Sequence, residues 1–333
     1  MTAGPDAAPS TAEAPAPPEQ PRRWGTPLLL FALTVVTTTL AGVGLARELP
    51  ATVFFYQPLL TVLREPGALL GGLTFSLPLL LIFFTHEMGH FLVARHYGVA
   101  ASLPYFIPLP AGLGTLGAVI AMREPSRSRG AILDIGAAGP LVGFAVAFVV
   151  LLVGFGLSEV KSAEDIALIA DTVGVVVEGD SVAYALARWL VYGTLPPGAD
   201  VWIHPTAYAG WFGMYLTWLN LQPFSQFDGG HIAFAVAGRH ARAISLSVFG
   251  YLALLFGLTQ NLLWISLLVV MLAMTGLIGL SHPPAIEDRP LTPRQKLTAF
   301  VCALVFLGTF VPNPWHELDP AELSLAPAVE VTR

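Results

Sequence analysis

Charge is what this sequence has least of. Asp, Glu, Lys and Arg together make up 11% of its 333 residues, whereas 55% are apolar and 32 glycines come on top; soluble domains carry about 25% charged residues. So few charged groups cannot cover a globule of this size, which excludes a water-soluble fold and makes lipid the solvent for much of the chain. Cysteine is nearly absent: Cys302 stands alone, excluding an intrachain disulfide framework and a thiolate zinc cluster. Positive charge is not in excess either, the formal net charge being −6, so nucleic acid is not an expected partner. The composition is that of an all-α polytopic membrane protein surrounded by a lipid bilayer.

What the chain does contain is long uncharged stretches between short polar ones. Residues 1–23 are rich in Ala and Pro, with almost no large apolar side chain, and are expected to form a disordered tail. Arg22 and Arg23 then precede the apolar run 27–45. A signal peptide with a twin-arginine look is one reading of that run, but 19 uncharged residues also suffice to cross the hydrocarbon, and a retained first helix is the simpler expectation. Further apolar stretches cover 67–99, 131–157, 205–224, 243–260, 262–280 and 297–311, giving about six or seven transmembrane helices in a domain over 24–311, followed by a tail over 312–333. Two segments fit poorly as simple spans. Residues 102–122 (SLPYFIPLPAGLGTLGAVIAM) are apolar yet broken by Pro104, Pro108, Pro110, Gly112, Gly114 and Gly117, a pattern for a short re-entrant or β-like element at membrane depth. Residues 181–192 look like a short interfacial helix with Arg188 and Trp189 at the boundary.

Orientation follows from the basic residues, because cytoplasmic loops retain Lys and Arg. With Arg22 and Arg23 inside, the alternation of spans puts Arg123, Arg127, Arg129, Arg239, Arg242, Arg289, Arg294 and Lys296 inside as well. The opposite side receives 158–203, where seven acids face only Lys161 and Arg188. That segment is short for an independent folded module. The expected location is the inner cell membrane, with the N terminus towards the cytoplasm.

Near the end of the second span stands HEMGH: His86, Glu87, Met88, Gly89, His90. Two histidines four apart lie on one helix face about a turn apart and can converge on one metal, while the adjacent Glu87 is placed to take a proton from water. Zinc needs a third protein ligand if its fourth position is to hold water. Asp228 is the candidate: it lies in NLQPFSQFDGGHI (220–232), and Gly229 and Gly230 after it let the backbone turn sharply and present the carboxylate inwards. An ordinary helix N-cap is the alternative for Asp228. The other acid at comparable depth, Asp134, stands near Arg129 and is expected to cap a helix or pair with a cation. The alternation of spans brings HEMGH and Asp228 to the same, inner face. His231 is expected to be an exposed or packed histidine, with a supporting role beside the metal as the alternative, and His96, His204, His240, His282 and His316 have no assigned role.

At this point the chain resembles the site-2 protease family of intramembrane zinc metalloproteases. FFTHEMGHFLVARHYGV, the glycine-proline element GAAGP (136–140) and NLQPFSQFDGGHI match that family's three blocks in order, within a catalytic core near 67–240; Phe227 stands where a leucine is usual. The resemblance implies that His86, His90 and Asp228 hold one zinc ion, that Glu87 is the general base, and that Asn220 holds the substrate or the oxyanion. SLPYFIPLP followed by GTLGAVI further resembles a subgroup without a PDZ domain. The implied activity is hydrolysis of peptide bonds in or near transmembrane helices of membrane-tethered protein substrates, which must unwind locally, and 102–122 offers a strand edge on which an unwound segment can pair. A catalytically inactive homologue that binds membrane segments and a metal-ion carrier are the alternatives; the carrier leaves Glu87 without a task.

Overall fold

The computed structural model describes residues 24–49, 55–122, 128–162, 164–166, 176–225, 227–278 and 289–317. The expected tail over 1–23, Arg22, Arg23, Arg123, Arg127, His282 and residues from 318 onwards lie outside them. Ten helices are described: α1 (Gly25–Ala46), α2 (Tyr56–Arg64), α3 (Ala68–His96), α4 (Arg129–Gly156), α5 (Val182–Tyr192), α6 (Pro205–Asn220), α7 (Asp228–Ala237), α8 (Ala241–Thr259), α9 (Leu262–Ile278) and α10 (Pro293–Gly308). Six short strands accompany them: β1 (Tyr105–Pro108), β2 (Thr115–Val119), β3 (Glu159–Lys161), β4 (Val176–Glu178), β5 (Asp200–Trp202) and β6 (Trp315–Glu317). The molecule is therefore mostly helical, with three two-stranded sheets rather than helices alone.

Local signals explain the boundaries. Ser128 and Ser181 accept hydrogen bonds from the main chain of Ala131 and Tyr184 at the starts of α4 and α5, and Thr292 and Gln295 cap α10 reciprocally behind Pro293. Four helical stretches are long and apolar enough to cross a membrane: α1, α3, α4, and Asp228–Thr259, in which α7 and α8 are joined by the single turn Gly238–His240. The apolar run expected over 243–260 is α8, and α7 is an additional short helix that begins at Asp228, because the DGG glycines enter a helix as well as a turn. Pro78 and Pro140 lie inside α3 and α4, as helices in lipid tolerate when neighbours satisfy the freed carbonyl.

Small residues set the helix crossings, as expected where close backbone approach replaces hydrophobic drive. On α1, Gly42 lies against Gly72 of α3, and one turn away Thr38 Oγ1 meets Ser76 Oγ at 2.6 Å. α4 meets α6 in the same way, with Gly210 against the Leu151 main chain. At one end of the bundle the end of α3 and the starts of α4 and α10 are tied together, because Asp134 accepts hydrogen bonds from Tyr97 Oη and from Gln295 Nε2 (3.1 Å). The expectation that Asp134 caps a helix or pairs with a cation is thus replaced by neutral donors from two neighbouring helices, while Arg129 reaches towards α7.

At the other end, 158–203 is organised around α5, whose Trp189 is 60% exposed, as suits a boundary residue. β3 pairs antiparallel with β5, and Arg188 bonds Asp180 (2.6 Å) and Asp200 (3.4 Å). β4 pairs antiparallel with β6, so the beginning of the expected C-terminal tail is a strand of the layer at this end. Trp211 of α6 donates to the Gly179 carbonyl and Trp315 donates to Tyr208 Oη, fastening the layer to α6.

The interrupted segment forms a hairpin. β1 and β2 pair antiparallel, Tyr105 opposite Val119 and Phe106 opposite Ala118, with a register shift before Pro108. Its turn is held on α1: Thr37 Oγ1 donates to the Gly114 carbonyl at 2.6 Å, and Gly114 (φ +86°) lies so close to Thr37 and Thr38 that a side chain would not fit.

Candidate metal centre

His86 and His90 lie one turn apart on α3 with Glu87 beside them, all three buried. α4 makes room for the rings by lacking side chains. A Cβ at Gly139 would collide with His90 Nε2, and one at Gly143 would stand 3.0 Å from His86 Nδ1. His90 Nδ1 lies 2.7 Å from the Ile135 carbonyl. That contact requires Nδ1–H as donor, so the lone pair is left on Nε2. The third donor arrives from the turn after α6. Ser225 adopts φ +46°, and Gly229 and Gly230 nest against the carbonyls of Leu221 and Ser225, which leaves Asp228 as the first residue of α7. The residue in the capping position is Phe227, and no side chain caps this helix. Asp228 directs its carboxylate to the two imidazoles instead.

The resulting geometry is a small triangle. His86 Nε2 and His90 Nε2 are 3.0 Å apart, and Asp228 Oδ2 lies 3.4 and 3.3 Å from them. Tetrahedral zinc with ligands at about 2.0–2.1 Å needs donor separations of about 3.3 Å. Two neutral imidazoles and one carboxylate therefore match such an ion in chemistry and spacing. Among the described residues these are the three whose donor atoms converge in this way. Glu87, on the same helix, is not one of them.

Two further groups border the triangle. Asn220, the last residue of α6, holds its Nδ2 3.4 Å from His86 Nε2. The main chain at Ile120, just beyond β2, borders the Glu87 carboxylate. Next along the chain, Ala121 points its N–H and carbonyl back towards the hairpin, bonding Ser102. Backbone direction alternates along a strand, so Ala118 shares the outward edge with Ile120. The hairpin edge thus faces the buried acid.

Asp134 belongs to the Tyr97 and Gln295 cluster and not to this centre. His231 packs on α4 at Gly136, His204 caps α6 through Nδ1, and His96 stacks edge-on against Tyr97. Sequence reasoning missed Gly139 as the residue that accommodates His90, Gly143 and the Ile135 carbonyl. The small-residue run of α4 was their one available signal.

Residues 74–260 match peptidase family M50. Probable zinc metalloprotease EGY2, chloroplastic, of Oryza sativa subsp. indica is 28% identical over 241 residues, covering 72% of this chain and 42% of the relative. Probable zinc metalloprotease EGY1, chloroplastic, of Arabidopsis thaliana is 31% identical over 222 residues, covering 64% of this chain and 40% of the relative. The chain thus spans about two-fifths of the length of the curated relatives it matches. No solved structure gives a significant match.

Proposed function

The chain belongs to peptidase family M50, the site-2 protease family, and from that premise we propose that it is an intramembrane zinc endopeptidase acting on transmembrane or membrane-tethered proteins. The observation that carries the proposal is the buried triangle of His86, His90 and Asp228 with a non-ligating carboxylate, Glu87, beside it. A metal carrier needs the triangle but not the acid.

His86, His90 and Asp228 would hold the ion. Bound zinc supplies Lewis acidity, which acidifies water and polarises a carbonyl. Glu87 accepts the proton of the attacking water at its carboxylate and returns it to the departing amide nitrogen. Asn220 offers its Nδ2 protons to the oxyanion that develops on the scissile carbonyl. A helical substrate hides that carbonyl in its own hydrogen bonds, so it must unwind, and the outward edge of β2 at Ala118 gives the freed backbone a partner next to Glu87.

Seven spans fit the helix ends: α1, α3, α4, α6 continued by α7, α8, α9 and α10, with α8 returning past the turn at 222–225. In that arrangement Arg95, Arg129, Arg239, Arg242, Arg294 and Lys296 share one end and the acids of 158–203 the other, which favours an inner cell membrane location with the metal centre towards the cytoplasm.

The test is zinc content measured together with cleavage of a model transmembrane substrate. Glu87→Gln is expected to keep zinc and lose cleavage, while His86→Ala, His90→Ala and Asp228→Ala each lose both. Wild-type turnover in Glu87→Gln would sink the proposal.

A further inference from the structure

Arg129 is the first residue of α4, and its side chain reaches the far end of α7. Nε and Nη2 donate to the Ala235 carbonyl at 3.1 and 2.7 Å, and Nη2 lies 3.4 Å from the Val236 carbonyl. These carbonyls belong to the last turn of α7, where acceptors lack intrahelical partners and a cation also meets the negative end of the helix dipole. α7 is ten residues long and Asp228 is its first. We infer that Arg129 is a positioning residue for the metal centre: by fixing where α7 ends along its axis, it fixes where the Asp228 carboxylate begins.

α4 is the common reference for both ligand-bearing helices. It holds α3 through the Ile135 carbonyl and the gap at Gly139, and it meets α7 at Gly136, where a Cβ would lie 3.0 Å from His231 Cβ and 3.2 Å from the Asp228 carbonyl. Gly136 limits how near α7 approaches, whereas Arg129 limits its sliding. A helix is stiff along its axis, with a rise of about 1.5 Å per residue. A slip of one residue at Ala235 therefore reaches Asp228 undiminished, against donor separations of 3.3 and 3.4 Å.

The inference rests on the reading of His86, His90 and Asp228 as the metal ligands. Its test uses the full chain purified in detergent, with zinc affinity measured by chelator competition for wild type, Arg129→Gln, Arg129→Lys and Asp228→Ala. Arg129→Gln is expected to weaken zinc binding roughly 10- to 100-fold, the usual effect of removing a group that orients a ligand. Arg129→Lys keeps the charge but not the fork, and is expected to recover part of the loss. With cobalt in place of zinc, both Arg129 variants should alter the visible absorption band as the carboxylate moves. The melting temperature of the metal-free protein should remain near wild type. Unchanged zinc affinity in Arg129→Gln overturns the inference, and so does an equal fall in stability with and without metal. If Asp228→Ala keeps zinc, the ligand set itself falls; if Asp228→Ala loses zinc while Arg129→Gln keeps it, only the role of Arg129 falls.

Discussion

At Gly139 a methyl group would land on His90 Nε2, the atom turned towards the other two donors, whereas at Gly143 it would stand 3.0 Å from His86 Nδ1. Gly139→Ala is therefore expected to abolish zinc binding and to destabilise the α3–α4 contact by about 1–3 kcal/mol, the usual range for overpacking. Gly143→Ala should weaken zinc less, because a shift of a few tenths of an ångström relieves it. Elemental analysis and thermal unfolding check both, and full zinc occupancy in Gly139→Ala would mean that the His90 ring has another place to go. The contrast explains what was legible at this scale. His86, Glu87 and His90 are readable because their relation is local, a spacing of four on one helix. Asp228 is readable because a carboxylate is scarce at that depth and glycines follow it. Gly139 owes its role to an atom on another helix, and the Ile135 carbonyl to main chain that every residue possesses, so the glycine-proline element marks the place without showing what it accommodates.

The hairpin shows how an element can be foreseen in kind but not in detail. Prolines and glycines announced that 102–122 is no helix, but they left open which backbone groups remain unpaired. Thr115 Oγ1 donates to the Ile107 carbonyl and accepts from the Gly117 N–H, each at 2.9 Å, so a proline at Thr115 would damage the hairpin itself. Ala118 lies on the outward edge, where proline removes a donor without breaking a rung. Ala118→Pro is expected to keep zinc and to reduce cleavage of helical substrates at least about tenfold, the loss of one well-placed hydrogen bond in a dry site. Zinc analysis and a cleavage assay on the same sample decide it, and normal cleavage ends the docking role of this edge. The long apolar helices were visible because their length exceeds any soluble alternative. α2 was not, since nine amphipathic residues give too short a signal, and neither was the start of α7, since DGG reads equally as a turn.

Across the whole molecule, basic residues at one end of the bundle and acids at the other make sidedness measurable. Single cysteines placed beside Arg294 and Glu164 should label from the cytoplasmic and the opposite side respectively, and reversed labelling would turn the metal centre outward. The acidic end also has its own pH dependence. Burial pushes the Glu178 carboxyl up to about 7, with Asp200 and Asp180 adding to the effect, although Tyr184 Oη donates to it at 2.9 Å. The folded chain thus holds a proton there that the unfolded chain releases near its ordinary value of 4.5. This contribution to stability is complete below about 4.5, declines by up to roughly 3 kcal/mol as pH rises to about 7, and is flat above it. Proteolysis of the β4–β6 layer at pH 5 and pH 8 measures the change, and Glu178→Gln should remove it. The sheet that carries Glu178 joins β4 to β6, which follows α10. During synthesis the ribosome therefore delivers all three metal donors before it delivers the strand that closes the β4–β6 layer. A chain halted after Val311 should already bind zinc while Val176–Glu178 stays open to protease, so maturation proceeds from the metal outward, and closure of that layer waits until β6 has been made.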